Sequence, residues 1–299
     1  MDLNNLINKI DIKQEKENKA LDKYTENTDK NREKLETLLS EFKEIINDDA
    51  APELWRKWEY GEVDEYYNYI NKKINNFDFD WGNLNLLVSN LPLYQINDII
   101  KNSDENTKFG LFLSALINKN VKAGEKVQIT SLMPINFLFY RLENAEAYVN
   151  VAGTNLGSGA KNSKICAEEA GNHAGWNMQG CELHVSKVGD ELVDGAKNSK
   201  IYADEAGNQS GEFLRESELH VKKTGDELGF GAKKSRIYAG KAGDSAGKHM
   251  LASKLFIYEL NGRLAVNCLT GNNEIYLGKE SYEKFPEYRG KVKIWEKKT

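Results

Sequence analysis

Cysteine, histidine and proline are scarce in this chain of 299 residues, at three, four and four. The cysteines, Cys166, Cys181 and Cys268, are odd in number and follow no spacing pattern. That argues against a disulfide framework and fits free thiols in a reducing cytoplasm. Neither histidine nor cysteine occurs before Cys166, so the first half lacks the usual nucleophiles and soft metal ligands. No run approaches the roughly 18 apolar residues that a membrane span needs, and none is expected. The opening MDLNNLINKIDIKQEKENK has no basic stretch followed by an apolar core, so no signal peptide is expected. A basic excess is missing too: Lys and Arg number 41 against 46 Asp and Glu, a net charge of −5. Nucleic-acid binding needs a basic face, so no such partner is expected. The phosphate-binding loop, the dinucleotide fingerprint, H-E-x-x-H and C-x-x-C are all absent. These gaps predict a cytoplasmic chain with no catalytic residue, cofactor or metal of its own.

Residues 1–47 hold no glycine, proline or cysteine and are dense in Lys and Glu. From Leu21 a heptad reading places Leu21, Thr28, Leu35 and Phe42 at one seam position, and Tyr24, Asn31, Leu38 and Ile45 at the other. Four heptads suit a coiled coil, with Thr28 and Asn31 fixing register. The same stripe suits an amphipathic helix docked on its own body. Residues 48–122 read as a small helical domain. A helix start falls at Asp49 with Pro52 in the first turn, followed by Leu54, Trp55 and Trp58. Val63–Phe77 carries Tyr66, Tyr67, Ile70 and Ile74 at helical spacing, and Asn83–Asn90 and Leu93–Lys101 are short helices broken at Pro92. Lys108–Asn118 is apolar nearly all round and should be buried. Trp55, Trp58, Tyr66, Tyr67 and Trp81 would line an aromatic pocket or fill the core of this domain.

From residue 146 the chain repeats. GAKNSKI stands at Gly159–Ile165 and Gly195–Ile201, and GAKKSRI at Gly231–Ile237. The underlying unit is half that period. Gly153, Gly171, Gly189, Gly207, Gly225 and Gly243 recur every 18 residues. Four residues after each comes Gly157, Gly175, Val193, Gly211, Gly229 or Gly247; ten after comes Ser163, Cys181, Ser199, Ser217, Ser235 or Ser253. So short a unit cannot close its own core and must stack. Ile201-Tyr202-Ala203 and Leu219-His220-Val221 alternate with strand period. Glycine every four residues would cost a helix about 1 kcal/mol each. The spacing therefore predicts a parallel β-solenoid of about six coils over 123–260. Its glycines sit at corners that need positive φ or close backbone approach.

Two further columns alternate in size. Leu156, Ala174, Leu192, Ser210, Leu228 and Ala246 are large where Ala160, Met178, Ala196, Leu214, Ala232 and Met250 are small, and the reverse. If both point inward, each layer keeps a nearly constant volume. Charges follow the same beat. One column reads Lys164, Glu182, Lys200, Glu218, Arg236, Lys254, and the other Glu169, Lys187, Glu205, Lys223, Lys241, Glu259. Neighbouring coils lie about 4.8 Å apart. Each exposed pair is worth at most about 1 kcal/mol, so the columns set register more than stability.

The repeat resembles the GXGXG domain family, whose unit is G-x-x-x-G-x-x-M-x-x-G-x-I-x-V. Gly243-Asp244-Ser245-Ala246-Gly247-Lys248-His249-Met250 and Gly225-Asp226-Glu227-Leu228-Gly229 fit it directly. The lead-in Gly110–Asn118 and Ile135-Asn136-Phe137-Leu138 is similar to the stretch before such repeats. The likeness covers about Lys108–Glu259. The later glycine of the pattern is Ser or Cys here, and the Met is often Ala. The family includes the C-terminal domain of the glutamate synthase large subunit and one of the subunits of formylmethanofuran dehydrogenase. There the domain packs against catalytic parts, so the resemblance implies an accessory subunit of a redox or amidotransfer complex. No catalytic residue carries over.

The outward strand column reads Tyr148, Cys166, His184, Tyr202, His220, Tyr238, Phe256. It would form an interaction face or an aromatic stack shielding the sheet. His184 and His220 are two coils apart, too far to share one metal ion. Cys166 and His184 are neighbours, which makes a Cys–His nucleophile conceivable. Asn172, Asp190, Asn208, Asp226 and Asp244 would suggest a calcium ladder, but turn chemistry beside glycine accounts for them. Past the repeat, Asn261-Gly262 reads as a hairpin turn. Glu274–Leu277 and Val292–Trp295 read as a small β cap over 261–299. The expected fold is α+β, a helical region followed by a β-solenoid. The expected function is a non-catalytic scaffold whose partner is a protein, either a second copy or an enzyme subunit.

Overall fold

The computed structural model describes residues 28–52, 60–74, 100, 102–131 and 133–296. Leu21, Tyr24, Trp55, Trp58, Trp81 and the two short helices expected around Pro92 lie outside the described residues. Ten strands run from β1 (Lys126–Ile129) through β2 (Glu146–Val151), β3 (Lys164–Ala170), β4 (Glu182–Val188) and β5 (Lys200–Glu205). They continue through β6 (Glu218–Lys223), β7 (Arg236–Ala242), β8 (Lys254–Leu260), β9 (Glu274–Leu277) and β10 (Lys293–Ile294). All pair in parallel, in sequence order, in one sheet. The register is one repeat per step in the middle, as in Lys164↔Glu182 and Lys200↔Glu218. This is the β-solenoid that the glycine spacing predicts.

The solenoid makes about nine turns from residue 126 to 294, not six. Sequence spacing misses the outer turns because they hold the coil conformation without its glycines. Asn155, Gly157, Gly159 and Asn162 are all left-handed in the first glycine-marked coil; one repeat earlier, Phe137, Phe139, Arg141 and Asn144 take the same conformation, at φ of 54°, 61°, 53° and 55°. At the other end the expected hairpin does not form. Asp244 Oδ1 accepts the Arg263 N–H at 2.8 Å, and Leu264 pairs in parallel with Ala246. The chain therefore stays on the coil path through Asn261-Gly262. Residues 261–296 are further turns of altered length, with Lys254↔Glu274 and Tyr276↔Lys293 as partners.

Inside the coils the two size-alternating columns are buried. Leu156, Ala160, Ala174, Met178, Leu192 and Ala196 are all fully covered. The strand positions Ile165, Leu183, Ile201, Leu219, Ile237 and Leu255 close the layer. The first glycine column has ordinary φ, and its glycines permit close approach: a Cβ on Gly207 would lie 2.2 Å from Asp190 Oδ1. The second column is left-handed, at φ +76° for Gly211, and Val193 holds the same conformation at 58°.

Three helices sit at the N-terminal end: α1 (Thr28–Ile46), α2 (Tyr60–Lys73) and α3 (Ser103–Asn120). Asn102 caps α3 by accepting the Glu105 N–H at 2.9 Å. The helix is buried along Phe109–Ile117 and lies across the first full coil. Its polar side chains satisfy that coil's open backbone. The Ser114 hydroxyl donates to Phe137 O at 2.8 Å and accepts from the Tyr140 N–H at 3.1 Å. Asn118 donates to Tyr140 O, and Asn106 donates to Pro134 O and accepts from the Asn136 N–H. An uncovered coil edge would be a pairing surface, and α3 removes it. In α1, Leu38, Phe42 and Ile45 are buried, with the Phe42 ring 5.1 Å from Phe109 and 5.3 Å from Phe112. These three positions of the heptad stripe pack on the chain's own body, and the side chains of Thr28, Asn31 and Leu35 lie outside the described ones. Tyr66, Tyr67, Ile70 and Ile74 are buried core residues of the α2 region.

Candidate functional site

Strand alternation sends one column inward and its neighbour outward. Six outward rings form a continuous stack: His184, Tyr202, His220, Tyr238, Phe256 and Tyr276. Successive centroids lie 4.7, 5.1, 4.6, 4.6 and 4.4 Å apart, and the planes are within 14° of parallel. The spacing is that of the strands themselves, so each ring stacks simply by occupying its register position. Ring faces are consumed by the stack and ring edges look outward. His220 Nε2 meets Glu218 Oε1 at 2.6 Å, and His184 Nε2 meets Glu182 in the same way. The Tyr276 hydroxyl donates to Glu274 at 2.6 Å, and Lys254, Tyr276 and Lys293 hold that carboxyl down to about 2. Lys293 Nζ lies over the Tyr276 ring at 5.1 Å and closes the far end, while Trp295 flanks the stack 5.7 Å from Phe256.

The other end is closed differently. Cys166 breaks the ladder, and Tyr148 makes no ring contact with His184. Its hydroxyl instead donates to Glu168 in the next coil at 2.7 Å. Burial pushes the Cys166 thiol up to about 11. Burial also lowers His184, against the pull of Glu182. A nucleophilic pair needs a depressed thiol and a base turned toward it. Here the thiol is raised and the imidazole is bonded to Glu182, so the geometry brings Cys166 and His184 into neighbouring coils without activating either. Tyr276 and Trp295 escape a reading at fixed period, because the step from β8 to β9 is 20 residues (Lys254 to Glu274). The aromatic pair Phe256 and Tyr276 was the available signal.

The Asn and Asp column performs a different task from the one assigned to it. Asn172 Oδ1 accepts the Asp190 N–H at 3.0 Å, Asp190 Oδ1 the Asn208 N–H at 2.7 Å, and Asn208 Oδ1 the Asp226 N–H at 2.9 Å. Each side chain reaches the next coil, not its own turn. The glycine of that next coil leaves the room for it. Carboxylate oxygens bound this way are taken, and among the described residues no group of three His, Cys, Asp or Glu is placed to hold a metal ion. A second ladder runs in the opposite direction. The Ser199 N–H donates to Ser217 Oγ at 3.1 Å and the Ser217 N–H to Ser235 Oγ at 3.3 Å, with Cys181 filling one position of the column. The structural glycines Gly153, Gly171, Gly189, Gly207, Gly225 and Gly243 thus carry the fold. All three cysteines are free and buried. No helix among the described residues is long and apolar enough to cross a membrane. Comparison of the chain with protein-family models, curated proteins and solved structures returns no match.

Proposed function

We propose that the protein is a non-catalytic interaction scaffold that meets a protein partner along the ring ladder. The observation that carries this is the six-ring stack from His184 to Tyr276, with ring edges presented from a rigid sheet. Rings held by their neighbours lose little side-chain freedom on binding, and aromatic anchors dominate protein interfaces. The filled coil interior supports a scaffold over an enzyme, because its columns of Leu, Ala, Ile and Met leave substrate no space there. Three unpaired thiols support a reducing, cytoplasmic setting. The resemblance to the GXGXG domain supports a narrower form of the reading, an accessory subunit of a redox or amidotransfer complex. Photo-crosslinking in native cells tests both. A benzophenone side chain at Tyr202 or Tyr238 should give a discrete protein adduct, while one at exposed Lys222 should not. An adduct with an enzyme subunit selects the narrower form. Equal or absent crosslinking at the ladder positions removes the ladder as the contact face.

A further inference from the structure

A second feature lies in the turn half of the coils, away from the strands and their rings. A shallow groove of about 370 Å³ crosses three coils there, lined by Trp176, Asn177, Asp194, Lys197, Phe213 and Arg215. Two aromatic rings, Trp176 and Phe213, share this one small groove. Phe213 is 44% exposed, and the edge of the Phe230 ring supports it at 5.4 Å. The Trp176 indole donates to the Asp194 carboxylate, which holds that ring in place.

The charges are arranged in two columns. Asp194 and Glu212 occupy one coil position in neighbouring coils, and Lys197 and Arg215 occupy another, with Lys197 and Arg215 in direct backbone register. Like charges therefore stack about 4.8 Å apart in each column, an arrangement that opposes folding. Elsewhere on the solenoid many neighbouring coils pair opposite charges, as in Lys164–Glu182 and Lys241–Glu259, and some stack like ones, as in Lys223↔Lys241 and Arg236↔Lys254. In the groove, among the described residues, neither Lys197 nor Arg215 makes an ion pair with a carboxylate. The groove thus sets two cations without a carboxylate partner beside the Asp194 carboxylate, with apolar ring surface next to both.

Elementary chemistry narrows what fits. A phosphate or other polyanion meets Asp194, and an ammonium meets Lys197 and Arg215. A hydrocarbon would cover these charges without pairing them. A hydroxyl both donates and accepts, so a polyol satisfies both columns at once. Sugar rings add an apolar C–H face that lies on aromatic rings, the pattern of a mostly apolar cleft with a few placed polar groups. We infer that this groove binds a pyranose sugar, its C–H face on Trp176 and Phe213 and its hydroxyls between Asp194, Asn177, Lys197 and Arg215. The groove is open along the stack, which suits a unit within an oligosaccharide chain. This inference stands apart from the ring ladder, so either can fail alone.

The test uses the full chain, labelled at its amino terminus, on a printed array of neutral and uronate-containing pyranose oligosaccharides. Retention is expected on a subset sharing one sugar, and calorimetry with that oligosaccharide should give a Kd of about 1 mM or tighter. Trp176→Ala and Phe213→Ala should each weaken it at least about tenfold. Arg215→Gln, an exposed position where folding is not at stake, should weaken it as well. Inorganic phosphate and an oligothymidylate serve as anionic probes and should bind at least about tenfold more weakly. The inference falls if no glycan is retained, if the anions bind better, or if Trp176→Ala and Arg215→Gln together leave retention unchanged.

Discussion

Two corners of each coil solve the same problem in different surroundings. At both, a backbone N–H that the sheet does not pair is taken by a side chain one repeat away. At the glycine corner the acceptor is the Asn or Asp of the coil before, and the site is open to water, as at Asn172 and Asp190. At the serine corner the acceptor is the hydroxyl of the coil after, and the site is buried, with Ser199 and Ser235 both 2% exposed. The difference teaches where the repeat's specificity resides. In the wet corner water can replace a lost acceptor, so the glycine that makes room matters more than the bond. In the dry corner nothing can replace it, so the bond itself matters.

Breaking the wet corner sterically should have the largest effect. A Cβ on Gly207 would sit 2.2 Å from Asp190 Oδ1 and 2.9 Å from the Gly189 carbonyl carbon. Gly207→Ala should cost about 3 kcal/mol or more, since coil backbones would have to separate. Adding Asp190→Ala should restore only part, because the backbone carbon stays in place. Gly211→Ala is the control: its Cβ meets only the ends of Leu219 and Leu214, and Val193 already holds that left-handed conformation. It should cost about 1–2 kcal/mol. Urea unfolding of the three proteins decides the order, and equal costs at Gly207 and Gly211 would overturn the close-approach account.

Next come the bonds. Ser217→Ala strips the acceptor from the buried Ser199 N–H and should cost about 1–3 kcal/mol. Asn208→Ala strips the acceptor from the Asp226 N–H, where water can enter, and should cost under about 1 kcal/mol. Hydrogen exchange offers a sharper reading than unfolding. The Ser199 amide should lose protection in the first variant, and the Asp226 amide should change far less in the second. A cost at Asn208 matching that at Ser217 would show that the wet corner is not wet.

These corners also mark how far the sequence could be read. The solenoid follows from the glycine column, because a spacing of 18 without exceptions has only stacking to explain it, and the serine column keeps the same period with Cys181 as its one departure. The alternation of Leu192 with Ala196 against Ala174 with Met178 is equally legible, since it conserves layer volume. What spacing cannot show is a conformation held without its marker residue. Phe137, Phe139 and Arg141 are left-handed against their own preference because α3 pins that coil through Ser114 and Asn118. The altered step after Leu260 likewise hides Tyr276 from the ring column. The Gly-Asx pairs at 171–172, 189–190 and 207–208 were visible, but local turn chemistry explained them well enough to conceal a bond reaching the next coil. The sugar groove was hidden for another reason: its two rings, Trp176 and Phe213, stand at positions that vary from coil to coil, and a repeat pattern discards what does not repeat.

The smallest expected effect sharpens the dry corner from the opposite direction. Cys181 stands in the serine column, where its sulfur accepts the Ser163 N–H at 3.4 Å and donates to Gln179 O at 3.3 Å. The serines at this position make the equivalent donations at 2.7 to 3.0 Å, as Ser217 does to Arg215 O and Ser253 to Leu251 O. An oxygen is the stronger partner for both groups. Cys181→Ser also gives up the burial of a sulfur that is 3% exposed, which opposes the gain. The balance should favour serine by about 0.5 kcal/mol, because the flanking coils already accommodate Ser163 and Ser199 in the same column. The Ser163 amide should then exchange more slowly in the variant. If Cys181→Ser instead destabilises the chain by as much as Ser217→Ala does, the column is held by packing and the ladder is incidental to it.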